Sequence, residues 1–173
     1  MINTARAFPS LAVLFCLIAV GNCLAQDKPV DAAKVRERVN TIIKETNKRG
    51  EFTVQGVKGI TRVPPITKDV DEIKSYGDQA VAPLEEHLHS ANAFEYEVAM
   101  RLMGALGGTR IVEPLKKVIL HDESARRREY ALRAIVQAPW DQASKVMTLA
   151  AETDPDENVR KTAKELLSGY APK

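Results

Sequence analysis

The side chains that could move protons, hold a metal or attack a carbonyl are few in this chain, and their spacing does not suit that chemistry. The only histidines are His87, His89 and His121. His87 and His89 stand two apart in a segment of helical pattern, so they point in different directions and cannot share a metal as an i, i+4 pair could. His87 also falls in an apolar column with Val118 and Ala150, the pattern of a half-buried packing histidine. Glu85 and Glu86 are adjacent and diverge on a helix, so they read as a solvated face and not as a paired acid and base. Both cysteines, Cys16 and Cys23, lie near the N-terminus. No Gly-rich phosphate loop is present, and no nucleophile and base can be placed together. The expectation is a non-enzyme with no catalytic residue, no cofactor and no metal.

The first 25 residues read as a secretion signal: Arg6 in a short polar start, the apolar run Leu11 to Val20, and a small-x-small cleavage site at Cys23-Leu24-Ala25. Cleavage after Ala25 would leave Gln26 as the first residue of an exported protein, periplasmic or secreted. A ten-residue apolar run is half of the roughly 20 residues a bilayer span needs, so no membrane span is expected. A lipid anchor at Cys23 is the alternative, because that cysteine follows the apolar run, with Asn22 where a small residue would stand in a lipobox. Without the leader there is no thiol and no disulfide, which suits an oxidising compartment without depending on it.

Of the 173 residues, 45% are hydrophobic, 28% charged and only 5% aromatic, a composition that favours small-residue helix packing over a β-sandwich. Arg6 is the leader's one charged side chain, so the remainder carries 24 basic and 23 acidic groups, a balance that argues against a nucleic-acid partner.

The elements that must position any site follow from hydrophobic spacing. Asp31 to Lys48 carries Val35, Val39, Ile42 and Ile43 on one narrow stripe, with Asp31 as cap and Gly50 as stop. Residues 51 to 67 hold Gly56, Gly59 and Pro64-Pro65 and read as an extended loop or weak hairpin. From Lys68 onward a repeat of about 32 residues emerges. Ser90, Asp122 and Asp154 are 32 apart and are candidate caps of three second helices, with Pro155 read as the first helical position of the last. Val98, Ala99, Leu102, Met103 and Leu106 recur as Tyr130, Ala131, Ala134, Ile135 and Ala138, and again as Thr162, Ala163, Leu166, Leu167 and Tyr170. These offsets define one broad face of an α-helix. The first helices repeat with Asp78, Thr109 and Asp141 as candidate caps and with the columns Leu84, Leu115, Met147 and Leu88, Ile119, Ala151. Pro83 and Pro114 predict a kink in the first two of these helices, while Val146 predicts a straighter third. Val70 and Ile73 in residues 68 to 76 form a half-repeat over the first pair, and Lys161, Lys164 and Glu165 give the last helix a polar outer side.

Gly-Asp-Gln-Ala-Val-Ala-Pro-Leu at 77 to 84 and Asp-Glu-Asn-Val-Arg-Lys-Thr-Ala-Lys-Glu-Leu-Leu at 156 to 167 resemble the two halves of short bacterial HEAT-like repeats of the PBS lyase type. The likeness covers residues 77 to 170. It implies an all-α fold, a right-handed α-solenoid of about three antiparallel helix pairs, with the N-terminal helix and extended loop of residues 26 to 67 capping a repeat domain of residues 68 to 173. It also implies use as an interaction surface. The function expected is an exported, non-enzymatic scaffold for an unidentified protein partner. Because some members of the family act on bilin chromophores, the alternative is a small-molecule or chromophore-handling protein.

Comparing columns singles out where the repeat is broken. Phe94, Tyr96 and Met100 in repeat one face Arg126, Arg128 and Leu132 in repeat two, and Asn158, Arg160 and Lys164 in repeat three. This apolar edge either packs beneath the Asp31 helix or the 52 to 63 segment, or binds a partner. Trp140, between pairs two and three, is read in the same way. Arg126-Arg127-Arg128, with Lys116, Lys117, Arg110 and Arg133, could form a basic patch, although Glu97 with Arg101 and Glu129 with Arg133 have the spacing of exposed helical ion pairs. Candidate partner-binding residues are therefore Phe94, Tyr96, Met100, Arg126, Arg128 and Trp140.

Overall fold

The computed structural model describes residues 31–56 and 67–171, with side chains described over 31–48 and 69–171. The expected leader with its expected cleavage point, Cys23 and residues 57–66 lie outside the described residues. Among the described residues every regular element is helical: α1 (Ala32–Gly56), α2 (Thr67–Tyr76), α3 (Val81–Leu88), α4 (Ala93–Leu106), α5 (Val112–His121), α6 (Ala125–Ile135), α7 (Trp140–Thr153) and α8 (Glu157–Tyr170). Two 3₁₀ turns, Gly77–Ala80 and Thr109–Ile111, lead into α3 and α5. No described helix is long and apolar enough to cross a membrane.

Each second helix (α4, α6, α8) is launched by a two-step polar turn repeated every 32 residues. In the first step Ser90 Oγ accepts the Asn92 N–H at 3.1 Å, Asp122 Oδ1 accepts the Ser124 N–H at 2.9 Å and Asp154 Oδ1 accepts the Asp156 N–H at 2.9 Å. In the second step the residue so placed becomes the cap. Asn92 Oδ1 accepts from Phe94 at 2.9 Å, Ser124 Oγ from Arg127 at 3.5 Å, and Asp156 Oδ1 from Asn158 at 2.8 Å and Val159 at 3.2 Å. The caps are thus Asn92, Ser124 and Asp156, two residues beyond the expected Ser90, Asp122 and Asp154. The earlier short polar side chains are used in bending the chain, which is the other local use open to such residues. Pro155 accordingly lies in the turn, and Glu157 is the first helical residue.

The first helices are entered differently. Asp78 and Thr109 sit inside the 3₁₀ turns and Asp141 is the second residue of α7; none of these entries has a side-chain cap. The second 3₁₀ turn follows Gly107 and Gly108, at φ +62° and +73°, a region that glycine enters without steric cost. A Cβ on Gly107 would stand 3.2 Å from the Gln137 carbonyl oxygen, and the Gly108 N–H donates to that same oxygen at 3.1 Å. Pro83 and Pro114 are the third residues of α3 and α5, where the missing N–H is one that a helix start leaves unpaired anyway. The proline is therefore absorbed by a change from 3₁₀ to α geometry ahead of it, and α7, which has Val146 at that column, begins without a 3₁₀ turn.

Helices α3 and α4, α5 and α6, and α7 and α8 pack as pairs, and α2, α4, α6 and α8 contact one another in succession. The core is built from the repeating columns. Leu84, Leu115 and Met147 are fully buried, as are Val98, Ala99, Leu102, Met103, Ala131, Ile135 and Ala163, whereas Tyr170, at the end of α8, is exposed.

Helix α1 covers the first pair, contacting α3 and α4 through the wholly buried Val35, Val39, Ile42 and Ile43. Asp31 caps it by accepting the Ala33 N–H at 3.0 Å. The helix does not stop at Gly50 and continues to Gly56, so part of the segment expected to be extended is helical. One interior glycine costs a helix only about 1 kcal/mol, too little to end one whose preceding turns are buried.

Polar ties fix α1 in place. His87 Nε2 lies 2.7 Å from Asn40 Oδ1, and Arg38 forks onto Glu72 of α2 at 2.6 and 2.8 Å while the Tyr76 hydroxyl donates to Glu72 at 2.7 Å. The Arg38 hydrogen bonds hold the Glu72 carboxyl below its ordinary range, outweighing desolvation, with Tyr76 assisting. A carboxylate depressed in the folded state stabilises above its unfolded pKa, and that contribution is lost as pH falls through the folded value. Thermal midpoints followed by circular dichroism should therefore fall on acidification below about pH 4.5, and the fall should be shallower in Glu72→Gln. Equal slopes in both proteins would show that the fork does not couple α1 to α2.

Candidate functional site

The residues singled out by column comparison have distinct structural jobs. Arg128 is buried on α6 and makes a two-pronged bond to Asp154, Nε to Oδ2 and Nη2 to Oδ1, each at 2.8 Å. Its Nη1 donates to the carbonyls of Asp122 at 2.8 Å and Glu123 at 3.2 Å, six and five residues back. One side chain therefore closes the turn of its own repeat and clasps the turn of the next. Burial pushes the Asp154 carboxyl up, but the Arg128 hydrogen bonds, the Asp156 N–H and the nearby Arg160 charge together hold it below its usual value. Arg160 repeats half of the device, donating to the carbonyls of Asp154 at 2.6 Å and Pro155 at 3.0 Å, again six and five residues back.

In repeat one the same column holds Tyr96, which can make neither bond. Arg127, one residue before the lock in repeat two, stands in. It donates to the Ser90 carbonyl, six residues before Tyr96, and its Nη1 lies 3.6 Å from Asp122 Oδ2, the counterpart of the Asp154 carboxylate. Its guanidinium lies over the Tyr96 ring, 4.9 Å from the centroid. Tyr96 in turn meets Tyr130 edge-on at 6.1 Å, and Arg126 lies 5.6 Å from the Tyr130 centroid. Tyr96 is thus buried, with Arg127 and Tyr130 of α6 stacked against it. In the sequence Arg127 stood out only as part of a basic cluster and Tyr130 only as a column residue, not as partners of Tyr96. The signal available was Ser90, where the other two repeats have Asp.

Met100 is buried in a column that continues as the buried Leu132 and the exposed Lys164, so the column packs one second helix on the next and becomes polar on α8. Phe94 and Trp140 are half-buried near the starts of α4 and α7, and Arg126 is exposed. Of the six candidates, Tyr96 and Arg126 are joined in one stack through Tyr130, while Arg128 and Met100 serve packing elsewhere on α6 and α4. Of the expected helical ion pairs, Arg133 to Glu129 forms at 2.7 Å; Lys161 and Glu165, on the polar side of α8, approach to 4.0 Å. Two further ties have the repeat's own span, Lys117 to Glu85 at 2.7 Å and Arg110 to Asp78 at 2.8 Å.

A groove of about 530 Å³ runs between α4 and α6, closed on one side by Lys74 of α2. Glu97, Met100, Arg101, Gly104 and Ala105 line it from α4, Tyr130, Arg133 and Ala134 from α6, and Gln137 from the turn that follows α6. Both sets have spacings of three and four residues, so the groove follows the helix axes. Gly104 and Ala134 let the helices approach closely: a Cβ on Gly104 would touch the Ala134 Cα at 3.4 Å. Among the described residues no group of three or more His, Cys, Asp or Glu side chains could hold a metal ion.

No protein-family model matches the chain, and no curated protein and no solved structure is significantly similar to it.

Removing one partner of a buried ion pair costs about 3–5 kcal/mol because the other is left uncompensated. Arg128→Ala should lower the urea-unfolding free energy by that order. Arg127→Ala should cost less, and Tyr96→Arg combined with Arg127→Ala should recover part of the loss, since an arginine at 96 can reach both Ser90 and Asp122. A double variant less stable than the sum of its singles would refute the exchange of roles.

Proposed function

We propose that this chain is an exported, non-enzymatic scaffold of the HEAT-like repeat type, a right-handed α-solenoid that holds a protein partner on its second-helix side. Export rests on the leader pattern of the first 25 residues. The solenoid reading rests on the 32-residue recurrence of turn, cap and buried column, together with the succession of contacts along α2, α4, α6 and α8. The observation that carries the binding role is the groove between α4 and α6, where a long concave surface combines an apolar floor with charged walls.

The test uses the chain from Gln26 onward with a photo-crosslinking residue at Gln137, in the groove, or at Thr148, on the exposed side of α7. Irradiation in envelope extract should attach a discrete polypeptide at 137 and none at 148. A coloured or small-molecule adduct, or equal labelling at both positions, would turn the assignment toward the chromophore-handling alternative or away from this face.

A further inference from the structure

The geometry points to an acidic, amphipathic α-helix as the occupant of the groove between α4 and α6. This inference deepens the scaffold reading, on which it rests, by naming the chemistry of the segment held there. Three features of the groove carry it.

The first is length and direction. The groove spans residues 97 to 105 of α4, about 12 Å at 1.5 Å per residue, and runs beside α6 from residue 130 into the turn at Gln137. It is a channel parallel to two helices and about two turns long.

The second is the absence of backbone partners. Most of the lining residues stand on α4 and α6, whose interior N–H and C=O groups pair along the helix, and the Gln137 carbonyl in the turn after α6 already accepts from Gly108. An extended peptide laid there would bury its own polar backbone without partners. A helix brings its backbone already satisfied and needs only side-chain complementarity. Gly104 and Ala134 are taken up in the packing of α4 on α6, while the small Ala105 beside them leaves room for a third helix and Met100 supplies an apolar floor.

The third is charge. The lining cations are Lys74, Arg101 and Arg133, against one carboxylate, Glu97. Arg133 is more than half exposed in its pair with Glu129, and exposed pairs of this kind exchange partners at little cost. Glutamate or aspartate flanking a leucine-type stripe would meet cations arriving from three helices, while lysine flanks would meet like charge.

The experiment uses the full chain and a fluorescein-labelled synthetic helix about four turns long, with leucine along one stripe and glutamate on its flanks, beside a counterpart with lysine flanks. Fluorescence anisotropy should show saturable binding of the acidic peptide, weakened by added salt, and no binding of the basic one. Lys74→Glu and Arg133→Gln should each weaken binding on the order of tenfold, and Ala105→Trp should block the groove sterically. Unchanged melting midpoints in these variants would establish that they fold. Binding of both peptides alike, no binding of the acidic peptide, or unaltered affinity in the three folded variants would overturn the inference. Crosslinking at Gln137 reads the scaffold assignment separately, so a partner attached there in spite of a failed peptide assay would remove the acidic helix and leave the scaffold.

Discussion

A charged side chain taken out of water must find its counter-charge and its hydrogen bonds inside the protein, and the Arg128–Asp154 fork is where this chain meets that demand most completely. Both Asp154 carboxylate oxygens accept from Arg128, and one of them also accepts the N–H that starts the next helix. The remaining Arg128 nitrogen goes to two carbonyls of the turn before α6. The fork thus fixes two turns, and through them the placement of α5 on α6 and α7 on α8. The helical columns supply most of the apolar stabilisation, but columns alone tolerate sliding; directional bonds at the turns specify which residues meet.

Repeat one shows that the requirement belongs to positions in space and not to a column of sequence. With Tyr96 in the arginine column and Ser90 in the aspartate column, the turn still receives a guanidinium, delivered from the neighbouring helix by Arg127 across the face of Tyr96. The apolar break in the repeat therefore reflects a rerouted arginine. The groove proposed for a partner lies one turn further along, where Met100 forms a floor and α4 and α6 approach closely at Gly104 and Ala134.

Hydrophobic period made the helices, their pairing and the buried columns readable, because each column needs only to be apolar and the 3.6-residue geometry does the rest. The stripe Val35, Val39, Ile42, Ile43 was legible for the same reason. The caps were displaced by two residues because Ser, Asp and Asn serve equally well in a bend or at a helix start, and a pair such as Asp154 and Asp156 offers both uses. Gly50 misled because its cost is local while a helix is held by what its whole length buries. The groove was invisible in sequence: it is made by what is missing at Gly104, Ala105 and Ala134, and by a lysine from α2 brought near by packing alone.

Arg127 and Arg128 are consecutive on α6, yet one reaches back to the turn before α4 and the other forward to the turn before α8. The middle pair stands between the outer two, so the connection between the ends runs through these two arginines together with the Lys117–Glu85 and Arg110–Asp78 ties and the packing of α4, α6 and α8. The middle repeat is in this sense the clutch of the assembly. Each outer pair packs against the middle one, so without it each would expose the apolar side it now buries there.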